Sequence, residues 1–384
     1  MRILWVSAFH EGLHGVRGVV RGLAAALSAD HHETAVVTRR PKHLGRRLHR
    51  VREPPAGLGV WRVTLRPLSA VGPSVRALPS LLRSCVELRR VVRAERPQVV
   101  HVHGMRTLDA TGSFAAHVLL LRRLARCPLV LHFHGRPTAR TAPSRLDRRA
   151  MAEAALVLAP SEDVRTFLEE AFGPTAARTV VFPSGCDPEE FSPAAATDGD
   201  SLLAVGRLVP RKGFEVLLDA FARLAPGRPH LRLRLAGDGE ERVALEAQAT
   251  TAGLAERVEF LGALEPTALR ERYRRASAVV CPSREDFFPL VILEAMSSGC
   301  PVVASRVGAI PSVIEHGVTG LLVPPGDAAA LAQALAACLE DAAARRAMGA
   351  RARAVVCARY SWRALGARLL ELYADAGIAV TRHA

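Results

Sequence analysis

What most limits the fold of this chain is an alternation: short apolar runs take turns with segments whose apolar residues recur at helical spacing. In the first half the runs are ILWVSAF, TAVVT, QVVHVHG, PLVLHFHG, ALVLAPS and VVFPSG, with VVRGLAAALSA and a helical stretch ending near Arg93 among them. A strand that is apolar on both faces must be covered on both, and in a parallel sheet the crossover helices do the covering. PLVLHFHG, ALVLAPS and VVFPSG each end in small or polar residues, at the end where such sheets hold ligands. Hydrophobic period and bulk disappear over residues 192–201, SPAAATDGDS. The pattern then restarts with LLAVGR, a helix over 213–225, LRLRLAG, a helix over 239–252, VEFLG, a helix over 266–275, AVVCPS, a helix from about 290, PVVAS and GLLVPP. The expected architecture is α/β, with two doubly wound parallel-sheet domains at 1–191 and 202–358 and a linker at 192–201.

A chain of 384 residues with 49% hydrophobic composition can bury two cores. Its net charge of +15 suits a nucleic acid, an anionic lipid surface or a phosphorylated ligand. A nucleic-acid-binding protein is the reading furthest in class from an enzyme. It finds no zinc-finger spacing and no RNA-recognition aromatic motif, and only three Trp and three Tyr to stack bases. The seven cysteines are spread without metal or redox spacing, as expected of a reducing cytoplasm. The first apolar run turns polar at His10 and Glu11, and HVLLLRRLA is interrupted by Arg122 and Arg123, so neither a secretion signal nor a membrane span is expected.

From Leu203 to Asp327 the chain resembles the nucleotide-sugar domain of glycosyltransferase family 4, in the GT-B fold class. The resemblance rests on VGRLVPRKGFEVLLDAF, LAGDGEE, VEFLGAL, SREDFFPLVILEAMSSGCPVVAS and EHGVTGLLVPPGD in that order. Outside it, HGVRGVVRGLAAAL resembles a glycine-containing loop and first helix, and PSGCDPEEFSP the segment crossing between domains. YSWRALGARLLELY resembles a closing helix, giving 359–384 as a return to the first domain. The match is thin between about residues 40 and 95. Two Rossmann-like domains facing a cleft, and transfer of a hexose-type sugar with retained configuration, are what the resemblance implies.

Cleaving a nucleotide sugar leaves charge on a diphosphate, and no carboxylate cluster of metal-binding type is visible, so no metal or other cofactor is expected. Arg207, at a strand end, and Lys212, before the next helix, supply the positive charge instead. The helix starting near Leu290, with Pro289 at its first position, offers backbone amides to a phosphate, and Gly15 permits a similar approach from the first domain. Leu264, Phe288, Pro289 and Leu290 are further donor-binding positions that the resemblance implies. Asp286 and Glu294 stand eight residues apart, like the family's paired acids. Both reach one ligand only if Phe287 to Pro289 is a loop. By the resemblance Glu294 binds the ribose and Asp286 the transferred sugar, with Glu285 a rival to Asp286. His134, after PLVLHFH, is the histidine the resemblance sends to the sugar, either donating a hydrogen bond or carrying a proton. His132 and His103 are alternatives. The donor is a UDP- or GDP-linked sugar, and the acceptor is not readable. Rival enzymes are a nucleotide-sugar epimerase of the same fold and a phosphorylase; the latter needs a cofactor-binding lysine, and only Lys42 and Lys212 exist.

Between Arg39 and Arg149 about two dozen basic residues face about five acids. In SVRALPSLLRSCVELRRVVRAER, Val75, Leu78, Leu82, Cys85 and Leu88 form an expected buried stripe, with Arg76, Arg83, Arg90 and Arg93 away from it. Such a helix fits either an ordinary sheet-covering role or peripheral contact with an anionic membrane at the inner face.

Overall fold

The computed structural model describes residues 1–7, 14–39, 49–53, 58–63, 78–103, 113–136, 143–173, 179–193 and 201–380. The chain divides into two compact units, Met1–Pro183 with Trp362–Ala384, and Ser184–Ser361.

The first unit is built on strands β1 (Arg2–Ser7), β2 (Glu33–Arg39), β3 (His49–Glu53), β4 (Leu58–Val63), β5 (Val99–His103), β6 (Leu129–His132), β7 (Leu156–Ala159) and β8 (Thr179–Val181). Their order is β3-β4-β2-β1-β5-β6-β7-β8, parallel except for the antiparallel edge strand β3. Helices α1 (His14–Ala29), α2 (Leu78–Glu95), α3 (Ser113–Ala125), α4 (Arg145–Glu153) and α5 (Glu162–Phe172) make the connections. The strand pair β3 and β4 falls where the sequence pattern offered only a gap before the helix.

The second unit holds β9 (Ser201–Val205), α6 (Phe214–Leu224), β10 (Arg232–Ala236), α7 (Arg242–Thr251), β11 (Val258–Gly262), α8 (Pro266–Arg275), β12 (Ala278–Cys281), α9 (Leu290–Ser297), β13 (Val302–Ser305), α10 (Ile310–Val313), β14 (Leu321–Val323), α11 (Ala328–Glu340) and α12 (Ala342–Val355). The sheet order β11-β10-β9-β12-β13-β14 reads 3-2-1-4-5-6 in chain order, the Rossmann arrangement.

The units divide at Pro183/Ser184 and not at residue 191, and at Ser361/Trp362 and not at 358. Hydrogen bonds explain the earlier division. The Cys186 amide donates to the Tyr360 carbonyl at 3.0 Å, Arg274 Nε to the Ser192 carbonyl at 2.8 Å, and Arg353 to the Pro188 and Phe191 carbonyls at 3.1 Å each. Residues 184–193 are thereby bound to the second unit before the expected linker, of which 194–200 lie outside the described residues.

The last helix, α13 (Trp362–Asp375), belongs to the first unit. Leu365, Leu369, Leu372 and Tyr373 join a core with Ile3, Trp5, Leu23 and Leu27. The approach to α1 is close: a Cβ on Gly22 would lie 2.2 Å from the Trp362 ring.

Among the described side chains of α2 those buried are Ser84, Glu87, Leu88 and Val91, so that of the expected stripe Leu88 is buried and Cys85 half-buried while Leu82 is not. Leu82 is 59% exposed and Val86 51%, on the outward face with Arg89, Arg90 and Arg93. Arg83 turns back to Glu87 at 3.1 Å, because an i,i+4 ion pair holds it beside the helix. Val75 and Arg76 lie outside the described residues, and the side chain of Leu78 is likewise not described.

Candidate active site

In the second sheet β9 and β12 are neighbours whose connections leave in opposite directions, and open α/β sheets bind ligands at such a switch point. Ala278 and Val279 pair with Leu202 and Leu203, so the segments after the two strands emerge side by side. One runs through Gly206 and Arg207 into a 3-10 turn at Pro210–Lys212. The other, Pro282 to Pro289, is irregular, so the loop condition on the two acids is met. The amides of Arg284 and Glu285 donate to the Arg211 carbonyl at 2.9 and 3.2 Å, fastening loop to turn. Gly213 ends the turn with φ 65°, and a Cβ there would come within 2.2 Å of the Pro282 carbonyl oxygen. Only glycine meets both demands.

These constraints bring Lys212 onto Asp286. The ammonium donates to Asp286 Oδ2, and the Ser283 hydroxyl donates to the same oxygen at 3.3 Å. The two side chains are only 13% and 8% exposed. Gly308, in the loop after β13, presses on the backbone here; a Cβ on it would lie 1.7 Å from the Asp286 carbonyl oxygen. Of the adjacent acids, Asp286 is the one held inward, and Glu285 is exposed. Arg207 is exposed and, among the described residues, its guanidinium has no acidic partner.

Pro289 is the N-cap of α9 and Leu290 its first residue, one position later than the sequence placed the proline. Its ψ of 111° keeps it extended. Asp286 lies three residues before the cap and does not serve as one. Glu294 sits past the first turn, where the Tyr273 hydroxyl donates to its Oε2 at 2.7 Å. Burial, aided by the nearby charge of Glu190, pushes the Glu294 carboxyl up to about 7. Phe288 and Leu264 are half-buried against the same core, Phe288 with its ring 6.4 Å from that of Tyr360. An exposed arginine, a lysine and the first-turn amides of a helix thus lie at one strand edge with two acids able to accept hydroxyl hydrogen bonds.

In the first unit four histidines cluster at the ends of β5 and β6. His101 Nδ1 is 2.6 Å from the Tyr373 hydroxyl, its Nε2 3.3 Å from His132 Nδ1, and His103 Nδ1 3.0 Å from His134 Nε2. His101, His103 and His132 are buried, and Trp5 lies against the first two at 4.7 and 5.3 Å. Burial lowers the pKa of all four, to about 4 for His134. They are neutral imidazoles at pH 7. Ligand nitrogens of His101, His103 and His132 lie within 4.8 Å of one another, close enough to prompt the question of a metal ion. The rings of His101 and His103, however, are stacked with centroids 4.5 Å apart and planes 11° apart. A metal must lie near the plane of each imidazole that binds it, and no point satisfies both rings as oriented.

Gly15 is the second residue of α1, in a helix that starts at His14, and its backbone is therefore helical where a loop was expected. Tyr273, Ser283 and Gly308 went unnoticed in the sequence; of these, only the lone tyrosine in the arginine-rich run RERYRR carried a signal.

The description "Glycosyl transferase 4-like domain" matches residues 14–185, and "Glycosyl transferases group 1" matches residues 187–355. The chain is 30% identical to a D-inositol 3-phosphate glycosyltransferase of Pseudarthrobacter chlorophenolicus across 96% of its own length and 91% of that protein's. It is 33% identical to an exopolysaccharide phosphotransferase of Streptomyces coelicolor over 70% of its own length, while spanning only 28% of that larger protein. The solved structure of Anabaena HepE in complex with UDP has the same fold, with a TM-score of 0.75 at 22% identity, covering 98% of this chain and 100% of that one. The chain belongs to the family 4-like glycosyltransferases, enzymes of GT-B fold.

Proposed function

We propose that this glycosyltransferase moves a hexose-type sugar, with retention, from a UDP- or GDP-linked donor to a saccharide, lipid-linked or small-molecule acceptor. The observation that carries the reading is the Lys212–Asp286 pair beside Arg207 at the switch point of the second sheet. In this reading Arg207, Lys212 and the α9 amides hold the diphosphate, with Gly15 contributing backbone. Glu294 takes the ribose, Asp286 and the neutral His134 hydroxyls of the transferred sugar, and Leu264, Phe288, Pro289 and Leu290 line the donor. The leaving phosphate oxygen accepts the acceptor's proton, and charge on it is neutralised by the two cations without a metal. HepE has been solved with UDP and with UDP-glucose, which supports a donor of this class.

A thermal-shift panel of UDP, GDP, ADP and their sugars tests donor binding, since a ligand at 100 times its dissociation constant adds about 2.7 kcal/mol. No shift with any of them would sink the reading. Nucleoside diphosphate released only when an acceptor is present separates transfer from epimerisation. Activity abolished by EDTA and restored by magnesium or manganese would refute metal independence.

The outward face of α2 supports a second proposal, peripheral attachment to anionic membrane, with the cytoplasm as location. Exposed Leu82 and Val86 there accompany Arg89, Arg90 and Arg93, an apolar edge with cations around it. No helix among the described residues is long and apolar enough to cross a membrane. Equal sedimentation with neutral and anionic vesicles, at low and high salt, would remove the idea.

A further inference from the structure

His134 has two readings as a sugar-facing group, hydrogen-bond donor or proton carrier, and its neighbour His103 chooses between them. The contact between His103 Nδ1 and His134 Nε2, at 3.0 Å, holds one hydrogen. The question is whose it is. His103 is fully buried, and its other nitrogen, Nε2, has no hydrogen-bond partner among the described residues. If His103 were protonated at Nε2, a buried N–H would be left without an acceptor, the kind of orphan that folded proteins rarely keep. If it is protonated at Nδ1, the orphan is a bare lone pair, which is cheaper to leave unsatisfied.

We infer that His103 is a positioning residue: its Nδ1–H donates to His134 Nε2 and so fixes His134 as the tautomer protonated at Nδ1. The inference rests on the role proposed above for His134, and it deepens that role. With Nε2 occupied as an acceptor, the one hydrogen of His134 is on Nδ1, and His134 meets a sugar oxygen as a donor. It has no free lone pair with which to take a proton, so it is not a general base. The ring geometry supports the arrangement: the planes of His103 and His134 are only 12° apart with centroids at 5.3 Å, as rings meeting edge to edge through an N–H···N bond require, and His103 is stacked on His101 at 11°, which restrains its plane.

The test is the tautomeric state of His134, read from one-bond and long-range 1H–15N couplings in the full-length protein carrying 15N-histidine, at pH 7.5. The His134 signals are assigned by their loss in His134→Gln. The expected result is an Nδ1–H tautomer in the wild type. Replacing His103 by Ala should release His134 to the Nε2–H form that free imidazole side chains favour. In His103→Asn the side-chain amide occupies the place of Nδ1 and should restore the Nδ1–H form, which a merely space-filling role would not do. A wild-type His134 found protonated at Nε2 overturns the inference, whatever the variants do. So does a folded His103→Ala protein with the His134 tautomer unchanged. The reading of His134 itself fails separately, if His134→Ala transfers sugar at the wild-type rate.

Discussion

Lowering the pH from 7.5 to 5 should unfold the first unit through its four clustered histidines. Burial depresses the pKa of His101, His103, His132 and His134 in the folded unit, that of His134 to about 4 and those of the others well below the ordinary value. In the unfolded chain each titrates near 6.5. A depressed basic group contributes stability that is complete above the unfolded pKa and is lost as pH falls toward the folded one. Below about pH 6 the unfolded unit therefore binds up to four more protons than the folded unit, and each is worth about 1.4 kcal/mol per pH unit. The slope approaches 5 kcal/mol per pH unit, against a total of about 5–15 kcal/mol for a folded domain. Glu153 and Glu162, whose pKa values are lowered from 4.5, act only at lower pH. The assay is built in. All three tryptophans, Trp5, Trp61 and Trp362, belong to the first unit, so their fluorescence in urea titrations follows that unit alone. A urea midpoint that stays constant between pH 7.5 and 5.5, or an uptake of less than one proton on unfolding, would refute the reasoning.

In the second unit the sign reverses. Glu294, with its carboxyl at about 7, contributes stability that is present below its unfolded value near 4.5 and lost as pH rises through 7. As a ribose acceptor it should make nucleoside diphosphate affinity climb from pH 6 to 8, and Glu294→Gln should flatten that curve in calorimetry. Arg207→Ala and Lys212→Ala should each weaken diphosphate binding by about 1.5 to 3 kcal/mol, the range for charged hydrogen bonds; unchanged affinity in both would place these side chains outside the site. Asp286→Asn frees Lys212 from its partner and should leave diphosphate affinity at least as high while lowering turnover; equal losses for diphosphate and sugar nucleotide would refute that division. Gly22→Ala puts a methyl where the Trp362 ring lies 2.2 Å away. The clash should cost about 1–3 kcal/mol and outweigh the roughly 1 kcal/mol gained in helix propensity, so the melting temperature should fall.

Strands buried on both faces were the most legible part of the chain, because nothing but continuous apolar sequence satisfies them. SLLAV and AVVC announce themselves, and so does the alternation of strand and helix through the second unit. The pair β3 and β4 was not legible: HRVRE is largely polar, as an edge strand can be, and LGVWRV is a short run beside it. The register of α2 misled for a different reason, since leucine spacing places Leu82 inward while the buried face is set by what the sheet and α3 offer. Within the site, positions fixed by loops were visible as residues, but their partners were not. Asp286 and Lys212 are 74 residues apart, and no local pattern says that they meet. The tie between His103 and His134 is hidden in the same way by the parallel pairing of β5 and β6.

Because α13 completes the core around α1, the first unit is assembled from both ends of the described chain, with the second inserted between them. On the ribosome the second unit emerges whole before its predecessor can close, so the order of completion inverts the order of synthesis. Until Leu365 to Tyr373 arrive, Leu23 and Leu27 lack part of their apolar cover, and the nascent chain carries that exposed surface through the synthesis of nearly 180 further residues. A premature stop at Trp362 would accordingly leave the second unit whole and injure the histidine-bearing first.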